Sequence, residues 1–145
     1  MIRKVFIIHE SGLCLLSRSY GDESDDVDLF SGFLAAISSF AKNMIGEKIN
    51  EIRMEHHSIF YESRETIVLA LVTSEKQISK RKLFTTMRRI YSKFIQQYQE
   101  YLNQKIVEPS LFKDFRSSLD NILQTSGLVE LKHPLIEGKV ISSIY

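Results

Sequence analysis

The sequence has only one cysteine, Cys14, and its 145 residues contain neither internal repeats nor low-complexity stretches. A single thiol cannot form an intrachain disulfide, so buried apolar side chains must stabilise the fold, and a reducing cytoplasm is the expected location. No apolar run approaches the ~18 residues of a membrane-spanning helix. Ile2 occupies the position where N-myristoylation requires glycine, so we expect membrane contact to be at most peripheral.

An excess of charge of either sign is also missing, since 19 basic and 18 acidic residues give a net charge of +1. This balance provides no general attraction to nucleic acid, and we expect no nucleic-acid partner. Hydrophobic residues make up 43% of the chain, which is enough for a core and argues against disorder. The length fits a single domain.

Motifs for catalysis and metal binding are lacking as well. The sequence contains no glycine-rich phosphate-binding motif. The acidic segment that starts at Asp22 resembles a calcium loop, but Val27 stands at its sixth position instead of glycine, and Phe33 at its twelfth instead of glutamate. His56 and His57 are adjacent, so on a strand their side chains point to opposite faces. We therefore predict no catalytic residue, no metal site and no cofactor.

Five segments have the pattern of strands, namely residues 3–9, 13–20, 49–55, 58–62 and 66–73. The first and the last are apolar on successive residues, which is typical of central strands that are buried on both faces. The third segment alternates and predicts an edge strand with Glu51 and Arg53 outward. Pairing of the first strand with the fifth joins an N-terminal hairpin to a three-stranded meander, and this predicts the sheet order 2-1-5-4-3.

Three segments, residues 29–45, 80–104 and 111–124, are predicted to be helices. Asp28 and Ser79 are the predicted N-caps of the first two, and Gly46 ends the first. Apolar residues recur along each helix at helical spacing, so one face of each is expected to lie in the core. Leu111 and Tyr101 belong to these stripes in the later helices. In the first helix the predicted inward residues are Phe30, Phe33, Leu34, Ile37, Phe40, Ala41 and Met44.

The order of elements is therefore β-β-α-β-β-β-α-α. It predicts an α/β fold of three layers, with a five-stranded, mainly antiparallel sheet, one helix on one face and two on the other. We expect one domain over residues 1–127. Residues 128–145 form an apolar tail interrupted by Pro134 and Gly138. This tail is expected either to pair as a short hairpin or to lie extended over the domain.

Four stretches carry a resemblance to longin domains, namely VFIIHESGLCLL (residues 5–16), DLFSGFL (28–34), IFYE (59–62) and IVLALV (67–72). The chain looks especially similar to stand-alone longin-like proteins of archaea, over about residues 1–105. The resemblance implies a longin/profilin-like fold and a non-catalytic protein-interaction module. It also implies an adaptor or subunit that serves a small GTPase or a trafficking-like assembly, because longin domains occur in SNAREs, adaptor and tethering complexes and GTPase exchange factors.

The outer face of the first helix is the main candidate partner-binding site. It carries Gly32, Ala35, Ser39, Lys42 and Asn43, with a single charge where solvated helices normally carry several. Small uncharged residues allow a second backbone to approach closely. The expected partner is a second copy of the chain or a related longin or roadblock chain, and a small GTPase is a further candidate. The alternatives are a plain exposed face and a face covered by the chain's own tail.

The second helix offers a candidate contact with an anionic surface. Lys82, Arg89 and Lys93 recur at spacings of seven and four residues, so they share one face of the helix. Such a face suits anionic lipid headgroups or an acidic partner. The alternative interpretation is an ordinary solvated helix, which the balanced overall charge favours.

A small-molecule sensor of the PAS kind is the alternative function, because that fold has the same strand order. Sensors of this kind use several short helices between the second and third strands to wall a pocket. Here one continuous helix is predicted at that place, which favours the interaction module. No motif supports an enzyme.

Overall fold

A computed structural model of the chain describes residues 1–21, 27–64, 66–74, 78–104 and 108–129. The strands are β1 (Ile2–His9), β2 (Cys14–Ser19), β3 (Glu51–Arg53), β4 (His57–Arg64) and β5 (Ile67–Ser74). The helices are α1 (Val27–Phe40), which continues as a π-helical turn (Ala41–Ile45), α2 (Lys80–Leu102) and α3 (Phe115–Thr125). A 3₁₀ turn (Pro109–Phe112) precedes α3.

The sheet has the order β2-β1-β5-β4-β3, and every neighbouring pair is antiparallel. This order confirms the prediction. The central strands β1 and β5 are buried on both faces, as their continuous apolar runs require. β3 lies at the edge of the sheet, as predicted. It is shorter than the predicted segment and pairs with β4 at three residues, from Glu51 opposite Phe60 to Arg53 opposite Ser58.

Two helices lie on one face of the sheet and one on the other, as predicted. The core between the sheet and α2, the 3₁₀ turn and α3 centres on Phe94. The ring centroid of Phe94 lies 5.0 Å from that of Tyr98, 5.4 Å from that of Phe112 and 5.1 Å from that of Phe115. Such tilted and edge-to-face contacts stabilise aromatic clusters. α1 packs on the opposite face, where Phe6, Ile8 and Leu34 belong to a smaller core.

The edge strand β2 is tied to α3 by a polar cluster. The Arg18 guanidinium donates to both carboxylate oxygens of Asp120, from Nε at 3.0 Å and from Nη2 at 3.2 Å. The Tyr20 hydroxyl donates to the same carboxylate. Burial and the neighbouring carboxylate raise the pKa of Tyr20, so its hydroxyl remains a donor. This cluster links an edge of the sheet to the last helix by charge-assisted hydrogen bonds.

The helix ends agree with the predicted caps at Ser79 and Gly46 but not at Asp28. The Ser79 hydroxyl accepts a hydrogen bond from the Lys82 amide at 3.3 Å and caps α2. Gly46 ends the helical segment in the left-handed conformation, with φ of 82°, and donates its N–H to Ala41 O. The prediction of Asp28 as an N-cap is wrong, because the helix begins at Val27 and Asp28 lies inside its first turn.

The inward stripe predicted for the first helix is partly wrong. Phe33, Phe40 and Met44 are exposed, whereas Leu34 and Ala41 are buried. Apolar residues occupy more than half of the circumference of α1, so the sheet cannot contact all of them. Leu111 and Tyr101 are also exposed, although both were predicted to face the core.

The chain beyond α3 returns to the start of the sheet. The Ile2 amide donates to Leu128 O at 2.8 Å, and both Leu128 and Val129 are buried. Two residues of the expected tail therefore lie in the core on the α2 side. The rest of the expected tail, residues 130–145, lies outside the described residues.

The division of phenylalanines between core and surface is testable by unfolding in urea. Phe94→Ala is expected to lower the free energy of unfolding by about 3–5 kcal/mol, because it leaves a cavity in the aromatic cluster. Phe40→Ala serves as the matched control, since the Phe40 side chain is largely solvated. Its expected cost is less than about 1 kcal/mol. Equal losses of unfolding free energy for the two variants would contradict the placement of Phe40 on the exposed side of α1.

Candidate functional site

The surface of α1 that faces away from the sheet is unusually apolar. Leu29 is 71% exposed, Phe33 51%, Phe40 57% and Met44 72%. These four residues follow one another at spacings of four, seven and four, so they form one stripe along the helix. We call them the apolar stripe. Contiguous exposed apolar groups of this size mark contact sites more often than free surface.

The predicted partner-binding residues lie beside this stripe. Gly32, Ser39, Lys42 and Asn43 are exposed, and the Asn43 amide donates to Ser39 Oγ at 3.2 Å. Ala35 is different, because it is half-buried and packs against the core on this side of the sheet. The expectation that Ala35 faces away from the core is therefore wrong.

The turn between β1 and β2 explains the small residues at positions 32 and 35. Gly12 has a φ of 97°, and a Cβ built on it would lie 3.8 Å from Gly32 Cα and 4.0 Å from Ala35 Cβ. The turn thus packs closely against the second turn of α1. Part of the small-residue pattern serves this internal contact. A Cβ built on Gly32 would have no described atom within 4 Å. The side of α1 toward which this Cβ would point is therefore open to a partner.

A cleft of about 790 Å³ adjoins the stripe at the beginning of α1. Leu29, Phe30 and Phe33 line it from the helix. Apolar residues from the sheet, Phe6, Ile59 and Val72, contribute the opposite wall. Within the described part of the chain, α1 lies mainly over β1 and β2 and leaves the rest of this face of the sheet uncovered, which creates the cleft. The sequence did not reveal it, because strand alternation predicts which face a residue takes but not how far a helix extends over it.

The polar residues that line the cleft are Arg3, Lys4 and His57. Ser31 Oγ and Tyr61 OH are buried and have no hydrogen-bond partner within the described part of the chain. Burial raises the pKa of Tyr61 and also that of Cys14, so both stay protonated at neutral pH. The Cys14 thiol donates to Leu16 O at 3.4 Å. The protonated hydroxyl of Tyr61 and thiol of Cys14 favour a binding surface over a reactive one.

Neither a metal-binding cluster nor a membrane-spanning helix occurs in the described ranges. No cluster of three or more His, Cys, Asp and Glu side chains within the described ranges is arranged to hold a metal ion. Among the helices described here, none combines the length and the hydropathy of a membrane span.

The residues predicted to contact an anionic surface lie on the opposite layer from α1. Lys82, Arg89 and Lys93 are all exposed on the outer face of α2, which packs on the other side of the sheet. The structure therefore brings these three together, and keeps them apart from the α1 residues. The sequence spacing alone predicted this grouping correctly.

Comparison with known proteins agrees with the observed topology. No family model matches the sequence, and the curated proteins contain no match either. A structure titled as the mammalian SRP receptor matches 88% of this chain and 95% of its own chain, with 14% identity and a TM-score of 0.58. MglB in a tetrameric arrangement matches 86% of this chain and 79% of its own, with 16% identity and a TM-score of 0.49.

A further match is the gliding protein MglB from Thermus thermophilus, with 19% identity and a TM-score of 0.45. The match covers 51% of this chain and 62% of that one, so the chain spans less than two thirds of the length of this neighbour. The strand order, the helix layers and the similarity to the SRP receptor structure agree with the resemblance seen in the sequence. The chain has a longin-like fold.

Proposed function

We propose that the chain is a non-catalytic protein-interaction module of the longin type, which acts in the cytoplasm as a subunit of an assembly serving a small GTPase. The apolar stripe on α1 carries this proposal. Its four large side chains lie on an outer helix face beside the small or uncharged residues Gly32, Ser39 and Asn43. Exposure of large apolar side chains to water is unfavourable, so a partner that covers them lowers the free energy. The proposal of a small GTPase as partner rests on the resemblance of the sequence to longin domains.

Burial of the apolar stripe by a partner contributes a limited free energy of association. Complete burial of a Leu, Phe or Met side chain contributes roughly 1.5–3 kcal/mol, and these four are already partly buried, so roughly 1–2 kcal/mol each is available. The total is comparable to the lower part of the ~4–15 kcal/mol that association costs. A stable contact therefore needs more than the stripe, and the adjoining cleft supplies additional apolar surface.

The preferred partner is a second copy of this chain or a related longin or roadblock chain. Gly32 and Ser39 border the apolar stripe, so a facing helix can approach α1 closely on that side. Lys42 and Asn43 lie near the end of the same surface and offer polar contacts at its rim. Two such domains side by side form a platform of the kind that several longin-like subunits use for a GTPase.

Self-association is tested by placing a charge in the apolar stripe. Phe40→Arg should keep the fold, because Phe40 is exposed, and should weaken self-association about tenfold or more, since an unpaired arginine is partly desolvated in the contact. Ser39→Arg is expected to act in the same direction. Sedimentation equilibrium over a range of concentrations measures both effects.

Leu111→Arg provides the matched control for these variants. It is the same kind of change, apolar to arginine at an exposed position, but it lies beside α3 on the other layer. It should associate like the wild type. A wild-type protein that is monomeric at high concentration, together with a Phe40→Arg protein that binds every partner of the wild type, would refute the proposed contact.

The GTPase partnership requires its own experiment. Purified small GTPases from the same cells, loaded with GDP or a non-hydrolysable GTP analogue, are titrated against the wild type in a pull-down and by calorimetry. At least one is expected to bind with a preference for one nucleotide state, and Phe40→Arg should weaken that binding if pairing builds the platform. Absence of binding to all of them in both states would contradict the GTPase partnership and leave the self-association result unaffected.

The cleft keeps one alternative function open, a PAS-like small-molecule sensor. Its volume of about 790 Å³ and its mainly apolar lining, to which Arg3, Lys4 and His57 add polar groups, suit a small ligand as well as a partner's side chains. Native mass spectrometry distinguishes the two functions. A bound small molecule in the wild type that is lost in Val72→Phe, which fills the cleft, would favour the sensor. The described residues between β2 and β3 form one helical segment, α1 with its π-helical turn, and this favours the interaction module.

A further inference from the structure

The outer face of α2 concentrates positive charge in a chain that is almost neutral. Six basic residues and only one acid, Glu100, lie within Lys80–Leu102, which gives this helix a net charge of +5 against +1 for the whole chain. All six basic residues are exposed, but Lys80 pairs with Glu51, which leaves five without a described carboxylate partner. We call these five the basic face: Arg81, Lys82, Arg88, Arg89 and Lys93.

The basic face is not neutralised by the carboxylates that the structure describes. No described carboxylate lies within ion-pair distance of its five cations, and the nearest ion pair on α2 joins Lys80 Nζ to Glu51 Oε1 at 2.9 Å. The carboxylate of Asp120 on the neighbouring helix is taken by Arg18. Positive charge that is neither paired nor buried attracts anions from solution.

Lys82 has a partly local role within this face. Its Nζ lies 3.7 Å from where a Cβ would stand on Gly127, just after the last turn of α3. A helix C-terminus attracts a cation through its unpaired carbonyls, so Lys82 also stabilises α3. Arg88 makes only a contact of 3.5 Å from Nη2 to Thr85 Oγ1 within its own helix. The charge available to a ligand therefore comes mainly from the other four residues.

Two shallow hollows lie between α2 and α3 along this face. Their volumes are about 400 and 570 Å³, and Thr85 and Arg89 line both. Ser126 adds a hydroxyl to the first hollow, and Asn121 adds an amide to the second. Guanidinium, hydroxyl and amide donors that converge on one hollow suit a phosphate or carboxylate group.

We propose that the basic face docks on the surface of an anionic lipid bilayer. The exposed residues between Arg81 and Glu100 include no large apolar side chain, whereas specific protein interfaces are anchored by a buried apolar or aromatic centre. An anionic bilayer requires no such anchor, because each Lys or Arg near its surface contributes about 1 kcal/mol through charge alone. The lack of an anchor thus favours a lipid surface over an acidic protein.

The position of α2 makes this docking independent of the proposed function. The sheet separates the basic face from the apolar stripe on α1, so lipid and protein contacts do not compete for the same residues. α2 has 23 residues, and at 1.5 Å each it presents a straight edge of about 35 Å to a flat surface. The domain is thus arranged to hold a protein partner on the side away from the bilayer.

Cosedimentation of the full chain with extruded vesicles tests the proposal. Vesicles of phosphatidylcholine alone are compared with vesicles that also contain phosphatidylserine. Only the latter should bind the protein, and binding should fall as salt rises, because the Debye length shrinks to about 8 Å at physiological ionic strength. The double variant Arg88→Gln with Arg89→Gln should bind about thirtyfold more weakly, from about 1 kcal/mol for each cation.

The control is a double variant outside α2 and outside the proposed protein contact, Lys48→Gln with Arg53→Gln. It removes the same charge from two exposed positions and should bind the vesicles like the wild type. Unfolding in urea checks that both double variants retain the stability of the wild type.

Three results would overturn the lipid assignment. They are equal binding to both kinds of vesicle, unchanged binding by the Arg88 and Arg89 variant, and binding to soluble poly-glutamate without binding to vesicles. The last result would assign the basic face to an acidic protein. The self-association of the wild type would be unaffected by any of the three.

Discussion

The antiparallel pairing of β1 with β5 is the interaction on which the rest of the structure depends. It joins the hairpin to the meander, with partners that run from Ile2 and Thr73 to His9 and Ile67. Both strands carry apolar side chains on both faces, so water must be excluded from the two sides of the sheet at once. That requirement places helices on both faces and makes the three-layer arrangement the stable one.

The two faces of the sheet cannot be covered equally by the helices available. Neighbouring strands lie about 4.8 Å apart, so five strands span roughly 20 Å or more, whereas one helix with its side chains is about 10–12 Å wide. α2 and α3 together cover one face, and their core closes around Phe94. Among the described helices α1 alone packs on the other face, mainly over β1 and β2, and the cleft beside Ile59 and Val72 is the consequence. The cleft beside the apolar stripe thus follows from the small number of described helices on this face.

The outer surfaces of the two helical layers differ in chemistry as well as in coverage. α1 presents large apolar side chains to solvent, and α2 presents arginine and lysine. Burial of apolar area and attraction between charges respond differently to salt, because ions screen charges but scarcely weaken apolar contact. A domain built in this way can hold a protein on one side and, as proposed, an anionic surface on the other. Contact at either side leaves the sheet and its two cores unchanged.

The strand order and the helix layers were determined by the sequence alone. Two continuous apolar runs must be central strands, and a polar cap at Ser79 and a glycine at position 46 mark helix ends through local hydrogen bonds. The grouping of Lys82, Arg89 and Lys93 also followed from spacing, because residues seven and four apart share a helix face wherever the helix lies. These features depend only on neighbours in the chain or on the number of apolar faces.

Tertiary contacts determine which side of α1 packs against the sheet. Periodicity shows that a segment is helical, but apolar residues surround more than half of α1, so several rotations of the helix bury similar apolar area. The turn at Gly12 packs against Gly32 and Ala35 and selects the rotation that buries Leu34 and Ala41. Phe33, Phe40 and Met44 are left in water as a result. The candidate interaction site arises from this choice, because it depends on contacts between residues far apart in the chain.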